Sequence, residues 1–423
     1  MNIRTPATVS ALLALTLLAT GCSSKAENSN EAPAGEGKAG LKSDIGVSGT
    51  TISLGVLTDL TGQFAVLGKS ITQAAQLHFD EVNKKGGICG RQIELVIKDH
   101  GYDVQKAVAA YTDMQPKVLG FEQLLGSPMV AGLLPNITTD KVYVSPVSWA
   151  STLLSNPNIG MMGATYDIEM INGIDYLMKE KGLKAGDTIA HIYFEGEYGA
   201  NGLMGSKYAA EKLGLKLTEV KIKPTDVDMT SQVTSIKASS PKAILLTTGP
   251  KQAASAVSVA KSLGLDVPVL GSSPTFSPAL LATSAGPALE SNFLIATSYA
   301  PYSTDSPAAK TLAAAYKAKF PDAVPHAGVP YGYGAAQAYS AVLTKACENN
   351  DLTRAGVITA AKSITSVETG GLIAPLDFSK PGAPPSRETI MTAPDAKAEG
   401  GLRVVKDLFK SDEAVAYKAP AES

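Results

Sequence analysis

The histidines are the residues whose chemistry could most readily serve catalysis or metal binding. The chain has four of them: His78, His100, His191 and His326. None stands at metal-ligand spacing from another histidine or from a cysteine. The pair Asp99-His100 ends a predicted strand and is the best acid–base candidate, but no nucleophile motif accompanies it. Residues 62–68 lack both the dinucleotide fingerprint and the lysine–hydroxyl pair of a phosphate-binding loop. The sequence therefore predicts no enzyme, no metal site and no cofactor.

Three cysteines indicate other chemistry. Residues 11–20 are an apolar run preceded by Arg4, which is the pattern of a signal peptide over residues 1–21. The small residues before Cys22 resemble the lipobox of bacterial lipoproteins, which implies a lipidated Cys22 anchored to the bacterial cell membrane. An ordinary secretory peptide with an incidental cysteine is the alternative. Because the extracytoplasmic space is oxidising, Cys89 and Cys347 are expected to form a disulfide bond, the alternative being two buried thiols.

Length and composition restrict the class of protein. The chain has 423 residues, of which 44% are apolar and 18% charged. These values suit two soluble globular domains. The net charge of −2 becomes −3 once residues 1–21 are removed. Nucleic acid is excluded as a partner on this ground, because phosphate binding requires a basic face.

Alternating strand and helix patterns position the polar loops. Residues 52–56 are predicted to form a strand, residues 68–84 a helix with one apolar face, and residues 93–97 a second buried strand. Such a βαβ unit brings its two strands parallel. The turn at residues 58–63 therefore lies at the carboxyl end of a strand, where open α/β sheets bind ligands.

The alternation continues to residue 298 and predicts an α/β fold of two doubly wound parallel-sheet lobes. The helices and thin strands after residue 306 would make a poor third core, so they are assigned to the two lobes. This requires three hinge crossings, near residues 163–167, 299–302 and 367–371. The predicted organisation is a signal peptide over residues 1–21, a lipid-anchored flexible tether over 22–48, a first lobe over 49–163 and 302–366, a second lobe over 164–301 and 367–412, and a tail over 413–423.

Short motifs recur along this framework. They are Leu60-Thr61-Gly62, Glu81-Val82-Asn83, Gly86-Gly87-Ile88, Ile93-Glu94-Leu95, Gly126-Ser127, Val144-Ser145-Pro146, Tyr198-Gly199 and residues 331–337. Together they resemble the type 1 periplasmic solute-binding proteins of ABC importers, most closely the branched-chain amino acid and amide-binding branch. The resemblance covers essentially the whole mature chain. It implies a Venus-flytrap receptor that captures a small solute and delivers it to a membrane permease.

The resemblance also implies ligand-binding residues, matched by position. They are Ser127, Ser148, Trp149, Tyr198, Thr248, Ser273 and Tyr333. The first three match loops that bind a ligand carboxylate, and the two tyrosines match aromatic residues that close over the ligand. Hydroxyl groups and backbone N–H groups near helix N-termini can bind an anion without a full positive charge. Core packing of either tyrosine, or a plain N-cap role for Ser127, is the alternative.

Departures from the family pattern bear on the ligand. The loop over residues 271–275 has hydroxyl groups where amino-acid binders carry an acid for the α-ammonium group. Leu67 stands where a tyrosine is frequent, and Trp149 replaces a threonine. Glu195 or Glu197 could supply a charge, although solvated loop carboxylates are the simpler interpretation. Because an unpaired ammonium group is costly in a closed cleft, the sequence favours a carboxylate, an amide or an aromatic acid, and leaves the ligand open.

The predicted function is that of a monomeric solute receptor for an ABC importer, with permease and ATPase subunits as partners and a lipid anchor as its only membrane attachment. The alternative is a ligand-sensing receptor of the same fold that signals to a partner. An extracellular enzyme is disfavoured, because the sequence has neither a nucleophile motif nor a set of residues at metal-ligand spacing.

Overall fold

Two β-sheets organise the chain in a computed structural model, which describes residues 40–422. The predicted signal peptide, Cys22 and residues 22–39 of the predicted tether lie outside this range. The strands are β1 (Lys42–Ser43), β2 (Thr51–Thr58), β3 (Gln92–Asp99), β4 (Gly120–Leu125), β5 (Val144–Val147), β6 (Thr188–Phe194), β7 (Lys216–Ile222), β8 (Ala243–Thr247), β9 (Val269–Ser272), β10 (Phe293–Thr297), β11 (Asp351–Leu352), β12 (Thr389–Pro394) and β13 (Leu402–Phe409).

Helices flank both sheets. They are α1 (Ala65–Lys84), α2 (Val104–Met114), α3 (Ser127–Thr139), α4 (Tyr166–Glu180), α5 (Glu197–Leu213), α6 (Thr230–Lys237), α7 (Pro250–Ser262), α8 (Gly286–Asn292), α9 (Pro307–Lys319), α10 (Gly328–Glu348), α11 (Arg354–Lys362) and α12 (Asp412–Ala416). Short 3-10 turns occupy Gln115–Lys117, Ser151–Ser155, Ser273–Thr275 and Pro278–Ala282. None of the helices in residues 40–422 combines the length and the hydropathy that a membrane span requires.

The first lobe is built on a parallel sheet with the strand order β3-β2-β4-β5. Strands β2 and β3 pair in parallel from Thr51 opposite Gln92 to Thr58 opposite Asp99, as the βαβ pattern predicts. Helix α1 buries Ile71, Ala75 and Phe79, which share one face at helical spacing. The first lobe therefore follows directly from the periodicity of its sequence.

The second lobe is built on a larger sheet with the order β13-β12-β10-β9-β8-β6-β7. Strands β6 to β10 are parallel, whereas β12 runs antiparallel to both β10 and β13. One of the thin strands predicted after residue 306, at residues 376–379, does not form, because Leu376 makes only an isolated bridge with Val367. Strand β12 takes its place in the sheet. The sequence of this strand, Thr389–Pro394, ends in a proline, and its apolar and polar side chains alternate only weakly. The strand is therefore hard to recognise from sequence.

The chain crosses between the lobes three times, and the crossings adjoin one another. The second and third run side by side, with hydrogen bonds from the Ala300 amide to the Leu372 carbonyl at 2.9 Å and from the Ala374 amide to the Ser298 carbonyl at 2.8 Å. The first passes Gly163, where a Cβ atom would lie 2.2 Å from the Ser298 Oγ atom. Only glycine permits this approach. The three crossings thus form one narrow bundle, which we call the hinge.

Residues 42–48 do not belong to a free tether, in contrast to the predicted boundary at residue 48. Strand β1 pairs in parallel with β11, with Lys42 opposite Asp351. The Ser53 amide donates to the Gly46 carbonyl at 2.7 Å. Backbone pairing therefore fixes this short segment to the first lobe even though its side chains offer little apolar surface.

The C-terminal tail packs on the second lobe. Tyr417 and Ala419 are buried in the core of this lobe. Arg387 forms an ion pair with Glu422 at 2.5 Å and donates to the carbonyls of Ala414 and Tyr417. The guanidinium group thus fastens the chain end as far as residue 422.

Cys89 and Cys347 form a disulfide bond, as predicted. Their Cα atoms are 6.0 Å apart, within the usual range for a disulfide. The bond joins the turn before β3 to the last turn of α10, so both of its ends lie in the first lobe.

Strand β4 carries a carboxyl group into the core of the first lobe. Glu122 is 2% exposed, and neither of its carboxyl oxygens has a hydrogen-bond partner among the described residues. Burial raises the pKa of Glu122 to about 8, because desolvation penalises the charged form. At neutral pH this side chain is therefore mainly a neutral acid.

Candidate ligand-binding cleft

The carboxyl ends of strands from both sheets face each other across a cleft beside the hinge. In the closed arrangement seen here the cleft retains a cavity of about 20 Å³. Its walls are apolar, aromatic or hydroxyl-bearing, and none of the lining residues is charged: Phe64, Leu67, Tyr102, Leu125, Gly126, Ser127, Val147, Trp149, Tyr166, Tyr198 and Pro274. The lobes are nearly in contact, and the cleft offers aromatic surface with a single aliphatic hydroxyl group.

Carboxylates in the turns after β2 and β3 build one wall of the cleft. Asp59 accepts hydrogen bonds from the Gly62 amide at 2.5 Å and from the Phe64 amide at 2.9 Å. Asp99 accepts from the Leu60 amide at 2.9 Å. These bonds order the turn and hold the side chains of Phe64 and Leu67 against the cavity. Asp59 and Asp99 thus position the wall without reaching the ligand space themselves.

Ser127 is the hydrogen-bonding group of the first lobe. It is the first residue of α3, so its hydroxyl group lies beside the N–H groups of the first turn, which have no intrahelical partners. Ser148 donates to the Ser127 Oγ atom at 2.7 Å, so the Ser127 hydroxyl group directs its own proton to another acceptor, and the Tyr166 side chain lies within its reach. Gly126, with φ +102, allows the tight entry, since a Cβ atom there would lie 2.1 Å from the Met129 Cε atom. This end of the cleft is suited to an anion.

Trp149 lies at the centre of an aromatic cluster. Its ring centroid is 4.9 Å from that of Tyr331 and 5.8 Å from those of Tyr166 and Tyr299. The indole N–H donates to the Met162 carbonyl at 2.9 Å, so the ring is fixed in orientation. Trp149 therefore presents a rigid apolar surface to the cavity.

Tyr198 forms the opposite wall, on the second lobe. Its hydroxyl group donates to the Thr248 carbonyl at 3.0 Å and is 2.7 Å from the Ser272 Oγ atom. Thr248 itself is buried, and its hydroxyl group donates to the Gly249 carbonyl at 3.3 Å. Of this pair, only the tyrosine ring borders the cavity, while Thr248 supports it from behind.

Ser273 is directed towards a buried acid. Its amide donates to Glu169 at 3.0 Å, and its hydroxyl group also donates to that carboxyl group. Burial raises the pKa of Glu169 to about 8, although the bonds from Ser273 oppose the shift. An acid therefore does lie near the loop that sequence reasoning found to lack one, but it comes from α4. With no ligand in the cleft it is mainly neutral below pH 8.

The prediction that Tyr333 closes over the ligand is wrong. Its hydroxyl group donates to Glu81 at 2.5 Å on the side of α10 that packs against α1. Tyr331 takes the inward position and contacts Trp149 and Tyr299. Residues two positions apart in sequence lie about 200° apart around a helix. A shift of two positions therefore moves a side chain from the inner face to the outer face.

Sequence reasoning missed several lining residues. The aromatic ones are Phe64, Tyr102 and Tyr166, and the others are Leu125, Val147 and Pro274. Each ends or follows a strand, or lies at the start of a helix, at the predicted ligand-binding edge of a sheet. Aromatic residues at strand ends were thus the available signal.

A group of hydrogen bonds joins the lobes beside the cavity, and we call it the interlobe latch. The Ser151 hydroxyl group of the first lobe donates to Asp167 of the second at 2.5 Å. Asn201 donates to the Ser151 Oγ atom at 2.7 Å, and Thr152 donates to Glu197 at 2.7 Å. Glu197 is therefore engaged by the other lobe and not by the cavity. These bonds favour the closed arrangement directly.

Removing the latch is expected to open the lobes. In the double variant Ser151→Ala, Thr152→Val the bonds across the lobes are lost, whereas Asp167 keeps its bonds from Thr165 and Tyr417. At about 1 kcal/mol for each of the three bonds, the open-to-closed ratio should rise by roughly two orders of magnitude. Small-angle X-ray scattering should show a larger radius of gyration.

Thr112→Val is the matched control, because its hydroxyl group bonds only the Val108 carbonyl within α2. A double variant with the same scattering profile as this control would show that the latch does not hold the lobes together.

The histidines lie apart and have structural roles. His78 bonds Ser340 and His191 bonds Thr247, at 2.9 and 3.0 Å. Burial lowers the pKa of His78 to about 4 and that of His191 to about 3. His100 accepts from the Tyr102 amide at 2.9 Å and thereby orders its turn. Within residues 40–422 no three His, Cys, Asp or Glu side chains come together as a metal site.

Comparison with known proteins agrees with this architecture. Residues 51–399 match the family described as periplasmic binding protein. The Leu/Ile/Val-binding protein BraC3 of Rhizobium johnstonii is 27% identical over 198 residues, which cover 44% of this chain and 51% of that protein. The Leu/Ile/Val-binding protein homolog 3 of Brucella melitensis is 26% identical over 197 residues, with the same coverage of 44% and 51%. This chain thus matches about half the length of these two relatives.

Solved structures match over a larger share of the chain. A fatty acid ABC transporter substrate-binding protein from Thermomonospora curvata is 48% identical, with a TM-score of 0.87, and the match covers 90% of this chain and 98% of that one. A branched-chain amino acid ABC transporter from Thermus thermophilus with bound valine is 19% identical, with a TM-score of 0.75 and coverage of 87% and 98%. At that identity the likeness concerns the fold alone.

The family match agrees with the parallel sheets and with the cleft beside a three-crossing hinge. The family is one of binding proteins and not of enzymes. This chain belongs to the periplasmic binding protein family and has the type 1 fold.

Proposed function

We propose that this protein is the extracytoplasmic receptor of an ABC importer and that it captures a monocarboxylate with an apolar body. The uncharged, aromatic lining of the cleft beside Ser127 carries the proposal. A fatty acid or another apolar acid has the matching chemistry, namely one anionic end and no cation. The sequence favours a carboxylate, an amide or an aromatic acid as the ligand. Of these, the proposal retains the carboxylates with an apolar body.

The carboxylate end is assigned to Ser127 and the first turn of α3. The Ser127 hydroxyl group keeps its proton available because its oxygen accepts from Ser148. Backbone N–H groups at the start of α3 supply further donors and the positive end of the helix dipole. A carboxylate can be bound in this way without lysine or arginine, which are absent from the cavity lining.

The apolar body is assigned to the aromatic walls. Trp149 and Tyr198 contribute rigid rings from the two lobes, and Leu67 contributes an aliphatic surface where the amino-acid branch frequently has a tyrosine. An α-ammonium group would find no carboxylate in the cavity lining, and the oxygens of Glu169, which is not part of that lining, are engaged by Ser273. A simple amino acid would therefore carry an uncompensated charge in the closed cleft.

The Thermomonospora curvata protein supports the same ligand class. It is named as a fatty acid binder and shares 48% of its residues with this chain over nearly its whole length. The two relatives named for leucine, isoleucine and valine are 27% and 26% identical over about half their lengths. The identity and coverage thus favour an acyl carboxylate over a branched-chain amino acid.

Capture follows from a shift in population. A ligand that contacts Ser127 and Trp149 on one lobe and Tyr198 on the other favours a closed state over the open one. Because the cavity of about 20 Å³ has room for about one water molecule, the lobes must separate beyond the arrangement seen here to admit the ligand, and the interlobe latch opposes that separation. The closed receptor would then present its ligand to the permease. Anchoring through a lipidated Cys22 and a monomeric state complete the proposal.

Trp149 provides the test, because it is the only tryptophan in the chain. Decanoate should change its fluorescence in a saturable manner, and leucine should not. Ser127→Ala removes a charge-assisted hydrogen bond and should raise the Kd for decanoate roughly 10- to 100-fold. Tyr198→Ala removes one wall and should have an effect of similar size.

Tyr333→Phe serves as the control for both variants, since this hydroxyl group lies outside the cleft. The proposal fails if leucine saturates the fluorescence change and decanoate does not. The assignment of the cleft residues fails if Ser127→Ala and Tyr198→Ala both bind decanoate as tightly as Tyr333→Phe.

A further inference from the structure

A second and larger cavity lies away from the cleft, beside the third crossing. It has a volume of about 320 Å³, near the lower end of the range for small-molecule sites, about 300–1,000 Å³. Its walls come from residues 154–160, the end of α11, residues 377–385 and Ala421. It shares no lining residue with the cleft. We propose that this side cavity is a second ligand site, which takes a small amphiphile with a carboxylate head and an apolar body.

The side cavity is preformed. The loop over residues 377–385 contains three prolines, which restrict its backbone. Its ends are tied by hydrogen bonds from the Asp377 amide to the Pro385 carbonyl at 2.9 Å and from the Phe378 amide to the Ile364 carbonyl at 3.0 Å. The loop is ordered before a ligand binds, so binding does not carry the entropic cost of ordering it.

The lining is predominantly apolar. Leu154 and Ile159 enter from the first lobe, Phe378 and Ala383 from the proline-rich loop, and Ala361 from α11. Leu154, Ile159 and Phe378 belong to the same hydrophobic cluster. A cavity of this size with such walls suits an acyl chain better than a polar solute.

Two polar groups without partners define the head of the ligand. Lys362, in the last turn of α11, is exposed and has no ion pair among residues 40–422, whereas Lys380 is 3.3 Å from Asp377. The Tyr143 hydroxyl group is buried without a hydrogen-bond partner in the same range. It lies against Gly160, where a Cβ atom would be 1.8 Å from it, and both residues line the cavity. An ammonium group and a phenol can both donate to a carboxylate.

The side cavity is bordered by both lobes. Residues 154–160 extend the first-lobe sheet, with Ile159 bridged to Val144. Ala421 belongs to the tail that Arg387 and Glu422 fasten to the second lobe. An occupant would thus contact residues of both lobes.

Calorimetric titration with decanoate tests the site independently of the cleft. The wild type should show a binding event that Trp149 fluorescence does not report. Lys362→Met should weaken this event roughly tenfold, and Ala421→Phe, which fills the cavity from its outer edge, should abolish it. Lys317→Met is the matched control, since Lys317 also lies in the last turn of a surface helix, α9. Decylamine should not bind at this site.

The outcomes separate this site from the proposed function. If every calorimetric event is also reported by Trp149, or if Lys362→Met titrates like Lys317→Met, the side cavity is not a ligand site. If decanoate leaves Trp149 unchanged but binds in a way that Ala421→Phe abolishes, the side cavity is a site and the proposed function fails. Thermal unfolding should show that Ala421→Phe is folded; if it is not, the exposed Lys362 variant decides alone.

Discussion

Replacing Cys347 by serine is expected to lower the free energy of unfolding by about 2–5 kcal/mol. The disulfide spans 258 residues of sequence, so its loss returns a large loop-closure entropy to the unfolded chain. Both of its ends lie in the first lobe, on the turn before β3 and at the end of α10. Helix α10 packs along α1 and completes that lobe late in the sequence. Urea denaturation should therefore show a lower midpoint for Cys347→Ser than for the wild type.

Cys89→Ser provides the matched comparison and should lose a similar amount. The double variant should be no less stable than either single variant, because all three remove the same bond. A reducing agent should lower the wild-type midpoint to that of the variants and leave theirs unchanged. If the wild type and both variants share one midpoint without reductant, the disulfide does not stabilise the protein.

Glu122→Gln is expected to stabilise the protein at pH 8 and to have little effect at pH 4.5. The pKa of Glu122 is about 8 in the folded protein, against an ordinary value of 4.5. Between these values the folded state retains a proton that the unfolded state has released. Stability is therefore lost as the pH rises, by at most about 1.4 kcal/mol per pH unit. The glutamine variant lacks this titration, and urea denaturation across the pH range should reveal a difference that grows with pH.

Glu211→Gln on α5 is the control, since that exposed side chain takes part in no ion pair among the described residues. Its stability should remain parallel to that of the wild type at every pH. A constant difference between Glu122→Gln and the wild type from pH 5 to pH 8 would show that Glu122 is not held as a buried acid.

The sequence determined the fold through periodicity and the cleft through topology. Alternating strand and helix patterns predicted two parallel-sheet lobes, and the rule that ligands lie at strand ends predicted the position of the cleft. Both inferences need only local information, whereas Ser127, Trp149 and Tyr198 were named from the resemblance to the family. Tyr333 was assigned wrongly because a match to a motif fixes a residue on α10 only to within a turn, whereas a shift of two positions reverses the face.

Other features depended on tertiary contacts that no local pattern reveals. Glu169 reaches Ser273 from a helix that is more than a hundred positions earlier in the sequence. The partner of Glu197 is Thr152, on the other lobe. Burial determines the protonation of Glu122 and Glu169, and it is decided by the elements that pack around them. Residue type alone does not reveal that these two side chains are mainly neutral acids in the folded protein.

The hinge bundle restricts how the lobes can move. Because Gly163 touches Ser298, and residues 298–300 pair with residues 372–374, the two bodies are coupled along one narrow strip. Such a coupling leaves one soft degree of freedom, a bend about the strip, and resists sliding or separation. The gap between Ser127 and Tyr198 is therefore expected to widen through this bend while the three crossings stay side by side.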